Sequence, residues 1–319
     1  GARGGSDSYT QRHLDRLKTD AFCEGQWRVA SAESARNFSA VGWYFGRLLQ
    51  QELNVPIGLI CPAIGGTPTE AWISRDALES DPELQGLVAG NWLDNERLSD
   101  FCRTRGQQNL LTAMQAGDRI PWDNLGPNHL FKPGFMWSAG IKPLIPYAIR
   151  GAIWYQGERN AKDVAQAANY VNQLPMMINY YRSSWHALSG GNVADDFPFY
   201  FVQLPAWLPE QTEPVEHSAA WAVSRESMRV VANTHSNTGV AVSVDTGDSV
   251  MLHPKDKKPI GLRLAYLALK KTYYKDFVEY GPVYKSHAIK GNQIVLKFDS
   301  IGSGLMVSKD EPIDTFAIA

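Results

Sequence analysis

The stretch Ala148-Ile149-Arg150-Gly151-Ala152-Ile153-Trp154-Tyr155, closed by Gln156-Gly157-Glu158, decides the fold. Its apolar residues run without alternation, as they do in a strand buried on both faces. The glycine breaks the run, and a segment rich in Ala, Gln and Asn reads as a helix through about Tyr181. Working outward, the same order recurs. Upstream, Phe38 to Leu53 has helical spacing with Val41, Phe45, Leu48 and Leu49 on one face. Pro56 ends that helix, Ile57 to Ile60 reads as a short buried strand, and Gly65-Gly66-Thr67-Pro68 is a turn before a helix start near Glu70. Downstream come a strand at Phe197 to Leu204, a helix at Ala219 to Asn233, a strand at Gly239 to Val244 and a helix at Pro259 to Lys271. Strands alternating with helices predict an α/β protein: a parallel sheet covered on both faces, with ligands at the carboxyl ends of its strands.

From about Tyr280 the texture changes. Val283 to Phe298 alternates around Lys290-Gly291-Asn292 and predicts a β-hairpin, and Thr315 to Ala319 reads as a further strand. The expected division is an α/β domain over 1–279 and the start of a β-rich extension over 280–319.

The 319 residues carry a formal charge of −2, with 44% apolar and 20% charged residues. That balance excludes the broad basic surface a nucleic-acid partner needs. The basic run Lys255, Lys257, Lys258 reads as a solvated turn. No run approaches the ~18 apolar residues of a membrane span, and Gly1 to Tyr9 has no apolar signal core. Cys23, Cys61 and Cys102 are too widely spaced for a metal site; one disulfide with a free thiol and three reduced thiols both fit.

Three clusters fall at predicted strand ends. Gly65-Gly66-Thr67 is either a plain turn or a loop whose backbone N–H groups form an oxyanion hole. In Trp154 to Asn160, Gln156 is placed to donate an amide to an oxyanion and Glu158 to orient a base; the plainer reading is a helix start with a favourable glutamate. His253, with Asp245 and Asp248 upstream in the same loop, is a candidate general base. Of the other histidines, His13, His217 and His235 read as surface, and His129, His186 and His287 as structural. No metal site, phosphate loop or dinucleotide fingerprint stands out, so no cofactor is expected.

Together the clusters resemble the sialate O-acetylesterase family of the SGNH hydrolases. Gly65-Gly66-Thr67-Pro68-Thr69-Glu70-Ala71-Trp72 is similar to the family's GGTPIEAW segment, and Trp154 to Asn160 to its WYQGESNA block, with Arg159 where serine is usual. His253-Pro254 with Lys257 resembles its HPxxK block, and Phe201 to Pro205 and Trp221 to Arg225 also match. The likeness runs from about Trp27 to Ala319. It implies a flavodoxin-like α/β/α core that removes acetyl groups from sugars through an acetyl-serine. His253 would be the base, Gly65 and Gln156 would hold the oxyanion, and Glu158 or Asp248 would orient His253. Gly66, Thr67, Asn160 and Arg225 would contact the sugar. Two departures matter. The family's nucleophile lies in a GQSNM-like segment well before Trp27, and none is present here; Ser6 and Ser8 are the only serines nearby. The family also sets an acid just before its histidine, where this chain has Val250 and Met251. The expectation is an esterase whose serine lies upstream. The alternatives are a glycan-binding relative without catalysis and an esterase of the acetylxylan type. The family resemblance also implies a secreted or periplasmic protein.

Overall fold

The computed structural model describes residue 5 and residues 7–145, 147–209 and 219–306. Ser6, His217 and the strand expected at Thr315 to Ala319 lie outside the described residues. At its centre is a parallel sheet of three strands in the order β1 (Ala152–Trp154), β2 (Phe199–Val202), β3 (Thr238–Ala241). Ala152 pairs with Phe199, and Phe199 with Thr238. Side chains alternate across this sheet as the pleat demands. Ala152, Trp154, Phe199, Phe201 and Val240 enter one core, while Ile153, Tyr155, Tyr200, Val202 and Ala241 enter the other.

Each face is covered by a helix pair, so the protein is a three-layer α/β/α sandwich. On the second face lie α1 (Ala40–Leu53) and α5 (Lys258–Leu267). The Ser39 hydroxyl caps α1 by accepting from the Gly42 N–H at 3.1 Å. The helix ends at Asn54, whose φ of 53° is left-handed, and so stops ahead of Pro56. The expected face is correct: Val41 and Leu49 are buried, with Phe45 and Leu48 packed beside them. The two helices touch backbone to backbone. A Cβ on Gly261 would sit 2.6 Å from the Tyr44 Cβ and 2.8 Å from the Val41 carbonyl oxygen.

On the first face lie α3 (Val164–Leu188) and α4 (Ala220–Thr234), joined where the Ser227 hydroxyl donates to the Ala167 carbonyl at 2.9 Å. Arg182 of α3 is buried, and its guanidinium donates to the carbonyls of Phe197, Ser236 and Asn237 at 2.9–3.0 Å. One side chain thus gathers the starts of β2 and β3.

Three expectations fail here. Ile57 to Ile60 forms no strand: the segment is extended, but its backbone has no hydrogen-bonded neighbour among the described residues, and Ile60 is exposed. A strand is defined by its partner, and none is present among the described residues. The outer edge of β1 likewise has no partner among the described residues, and its residues are half-exposed where those of β2 and β3 are buried. Second, the sequence pattern names no element between the helix start near Glu70 and Ala148, whereas the segment after Ser74 is a folded insertion built on α2 (Asp100–Ala116) with Trp92, Leu110 and Phe131 in the core. His129 is structural, as expected: it stacks between Tyr9 and Trp92 at 5.4 Å, and burial pushes its pKa down to about 3, so the ring stays neutral. Third, His235 is half-buried and its Nε2 has no partner among the described residues, so it is not simply surface.

The predicted hairpin is β4 (Val283–Lys290) paired antiparallel with β5 (Gln293–Asp299), turning at Gly291. The three thiols are free. No described helix is long and apolar enough to cross a membrane.

Replacing Gly261 by Ala tests the α1–α5 contact. Overpacking a tight contact costs about 1–3 kcal/mol, so a urea midpoint clearly below wild type is expected with the slope of the transition unchanged. An unchanged midpoint contradicts the contact.

Candidate active site

The polypeptide leaves β1 through Gln156-Gly157. Gly157 has φ 151°, and a Cβ there would meet Met228 at 2.7 Å and Leu204 at 3.2 Å. Only glycine fits that bend, which swings Gln156, Glu158 and Asn160 across the carboxyl end of the sheet.

There a buried polar network welds the first cluster to the second. Gln156 Nε2 donates to the Thr67 carbonyl at 3.2 Å and to Asn160 Oδ1 at 2.8 Å. The Thr69 hydroxyl meets Gln156 Oε1 at 2.7 Å and Asn160 Oδ1 at 3.0 Å, and Asn160 Oδ1 also accepts from the Thr69 N–H at 3.0 Å. Asn160 Nδ2 donates to Glu70 Oε2 at 3.0 Å and to Gln173 Oε1 at 3.3 Å. Tyr170 adds a hydroxyl 3.1 Å from Gln156 Oε1, and Trp154 Nε1 donates to that hydroxyl at 3.0 Å. Thr67 is held by its own hydroxyl, which donates to the Ile64 carbonyl and accepts from Trp72 Nε1, both at 2.9 Å.

This geometry revises several expected roles. Both amide hydrogens of Gln156 are spent inside the protein, so Gln156 positions the glycine loop and has no donor left for an oxyanion. Thr67 and Asn160 are buried and bonded in the same way, and do not face a sugar. Gly65 and Gly66 are different: both are exposed, and open space lies where a Gly65 Cβ would point. Glu70, which carried no signal in the sequence, is a carboxyl in the interior. Burial raises its pKa, against the hydrogen bonds from its own backbone and Asn160.

The third cluster reaches the same end of the sheet. The loop after β3 is tied to the loop after β2, where the Asp248 N–H donates to the Ala206 carbonyl at 3.2 Å and the Ser243 hydroxyl to the Gln203 carbonyl. The Lys257 ammonium lies 5.5 Å from the Tyr155 ring. Lys257 is half-buried, so the basic run is not a uniformly solvated turn. Burial lowers its pKa, and the charge of Glu158 opposes that shift. Lys257 therefore brings the HPxxK block into the field of the block that follows β1.

His253 is exposed on this loop, and no carboxylate pairs with it among the described residues. The expected orienting bond from Glu158 or Asp248 is not formed. Asp248 is committed to its own turn, accepting from the Val250 and Met251 N–H groups at 2.8 and 2.9 Å. Asp245 is held by Arg263 through two bonds of 2.6 Å. Arg225 is half-buried, with burial lowering its pKa. Ser8 lies apart from the strand ends, its hydroxyl 3.1 Å from that of Thr112 on α2. Among the described residues no group of three His, Cys, Asp or Glu is set to hold a metal.

No protein-family model matches the chain. Individual proteins do. The sialate O-acetylesterase of Rattus norvegicus is 31% identical over 258 residues, spanning 77% of this chain and 45% of that protein. The sialate O-acetylesterase of Homo sapiens is 30% identical over 250 residues, spanning 75% of this chain and 41% of that protein. The chain is similar to sialate O-acetylesterases over about three quarters of its length. A crystal structure of a carbohydrate acetylesterase from Xanthomonas citri superposes with a TM-score of 0.62 at 28% identity, covering 86% of this chain and 51% of that one. The chain thus spans less than half the length of these curated relatives of the family, and about half of the solved structure.

Glu70→Gln tests the buried carboxyl. An acid whose pKa is raised by folding holds its proton better folded than unfolded, so its contribution is intact below the unfolded pKa and is lost as pH rises through the folded one. Glutamine keeps an oxygen for Asn160 without the charge. Urea midpoints measured upward from about pH 4, the ordinary glutamate range, are expected to show the variant gaining on wild type as pH rises. Parallel curves contradict the assignment.

Proposed function

We propose that this chain is the scaffold of a carbohydrate O-acetylesterase of the SGNH type, acting on acetylated sialic acid or a similar acetylated sugar. The observation that carries the proposal is the exposed Gly65-Gly66 loop held to the end of β1 by Gln156 and Asn160, in a chain related to proteins named for this activity. On this reading the Gly65 N–H stabilises the charge that develops on the acetyl carbonyl oxygen. His253 takes the proton of the attacking serine, and an acid turns toward it once the site is complete; Glu158, with no bonding partner among the described residues, suits that part better than Asp248. Gly66 and Arg225 border the sugar.

The serine comes on a strand outside the described residues. Its place is supported by two unpaired partners, the outer edge of β1 and the extended segment Ile57 to Ile60. Ile57 and Ile153 both pack against the core on the α1–α5 face of the sheet. The change of texture near Tyr280 and the hairpin β4–β5 support a hydrolase unit over 1–279 and the start of a β-rich extension over 280–319. The family resemblance supports a secreted or periplasmic protein.

Assayed alone on a 9-O-acetylated sialic acid, the 319-residue chain is expected to show at most the residual ~10³–10⁴-fold acceleration that binding and oxyanion contacts leave when a catalytic triad is broken. A synthetic strand bearing a GQSN-like segment, added in trans, is expected to raise acetate release well above that level, and His253→Ala to abolish the gain. Strong release by the chain alone, or a gain indifferent to His253, sinks the proposal.

A further inference from the structure

Arg159 stands in the WYQGESNA-like block where serine is usual, and its surroundings are specific. Its guanidinium carbon lies 3.6 Å from the centroid of the Phe101 ring, and that of Arg105 lies 5.0 Å from the same centroid. Lys162, three positions on, projects its ammonium over Trp207 at 5.7 Å. Arg159 is half-buried, and its Nε is buried with no hydrogen-bond partner among the described residues. No ion pair forms at Arg159 or Lys162 among the described residues.

Gathering like charges at a partly dry surface is unfavourable unless something negative shares the space. The molecule itself supplies little. Burial, with Arg105 adding to it, draws the Arg159 pKa down, and burial and Arg159 do the same for Lys162. Cys102 is close to Arg159, but burial pushes its thiol up to about 12, so it carries no compensating charge near neutrality. Glu158 acts on Arg159 from outside ion-pair distance. A planar guanidinium stacked on a ring keeps its donor edge free, and that edge matches the two oxygens of a carboxylate.

We propose that Arg159 and Lys162, with Phe101 as the stacking platform, form an anion-reading subsite beside the Gly65 loop that takes the carboxylate of an acidic sugar. Arg159 is a specificity residue, not a catalytic one. The sugar rests on the acetylesterase reading above; the anion rests on the geometry of this cluster alone.

The test is binding by the full 319-residue chain, followed by ligand-observed NMR with N-acetylneuraminate and with its methyl ester, which lacks the charge. A charge-assisted bond contributes about 1.5–3 kcal/mol, so the acid is expected to bind roughly tenfold or more tighter than the ester in low salt. Arg159→Ser is expected to erase that preference and Arg159→Lys to retain part of it. Lys162→Ala, at an exposed position where folding is not at stake, is expected to weaken it by several-fold. If Arg159→Ser does not fold by its melting profile, Lys162→Ala decides. Equal binding of acid and ester by wild type, no binding of either, or an unchanged preference in the variants overturns the proposal. A carboxylate preference in a chain that never gains acetate release would remove the esterase reading and leave this subsite standing.

Discussion

The arrangement depends on one interaction: the Gln156 side chain, buried and bonded to a carbonyl in a loop 89 positions away in sequence. An amide in the interior must place both of its hydrogens and its oxygen or forfeit about 1–3 kcal/mol for each group left unpaired. Here Thr67, Asn160, Thr69 and Tyr170 meet that demand together. Because every member is satisfied, the network adds rigidity without the penalty of a half-paired polar core. The exposed glycines Gly65 and Gly66 inherit that rigidity although they make few contacts themselves. On the proposed reading the loop presents backbone N–H groups to a developing charge, which requires it to be held before the substrate arrives, and the network is placed to hold it.

Around this fixed point the electrostatics are graded. Glu70 sits in the driest part, with Asn160 as its donor. Glu158, Lys257 and Tyr155 form a half-exposed ring at the strand ends, and Asp245 and Asp248 lie outermost, each occupied by a partner of its own. The acids nearest to His253 in sequence are thus the ones least able to serve it. On the proposed acetylesterase reading, the strand ends carry the parts of a site that would hold and polarise more clearly than those that would attack.

Much of the fold was legible from local pattern. Phe199 to Val202 is apolar throughout because both of its faces are covered, and α1 shows its buried stripe because one face is covered; both constraints are written into neighbouring residues. The failures share a cause. Ile57 to Ile60 has the composition of a strand, but pairing depends on a neighbour that composition does not supply. Lys257 looks like part of a solvated turn until the fold brings Tyr155 beneath it. Glu70 lies among residues that say nothing of its burial, and Gln156 was placed at the right strand end but given the wrong task, since its partners come from distant segments. Location was readable in the sequence, whereas hydrogen-bond allocation was not.

The flank of β1 that has no partner among the described residues has a consequence for handling the molecule. A row of unpaired N–H and C=O groups on a strand is a template for any other extended backbone, and here it is accompanied by a second unpaired segment. Two copies of the chain offer each other what each lacks, so concentration favours intermolecular zippering and, in the end, precipitate. A correctly seated extra strand would act as a chaperone as well as a reagent, keeping the polypeptide soluble by occupying the edge through which it would otherwise recruit itself.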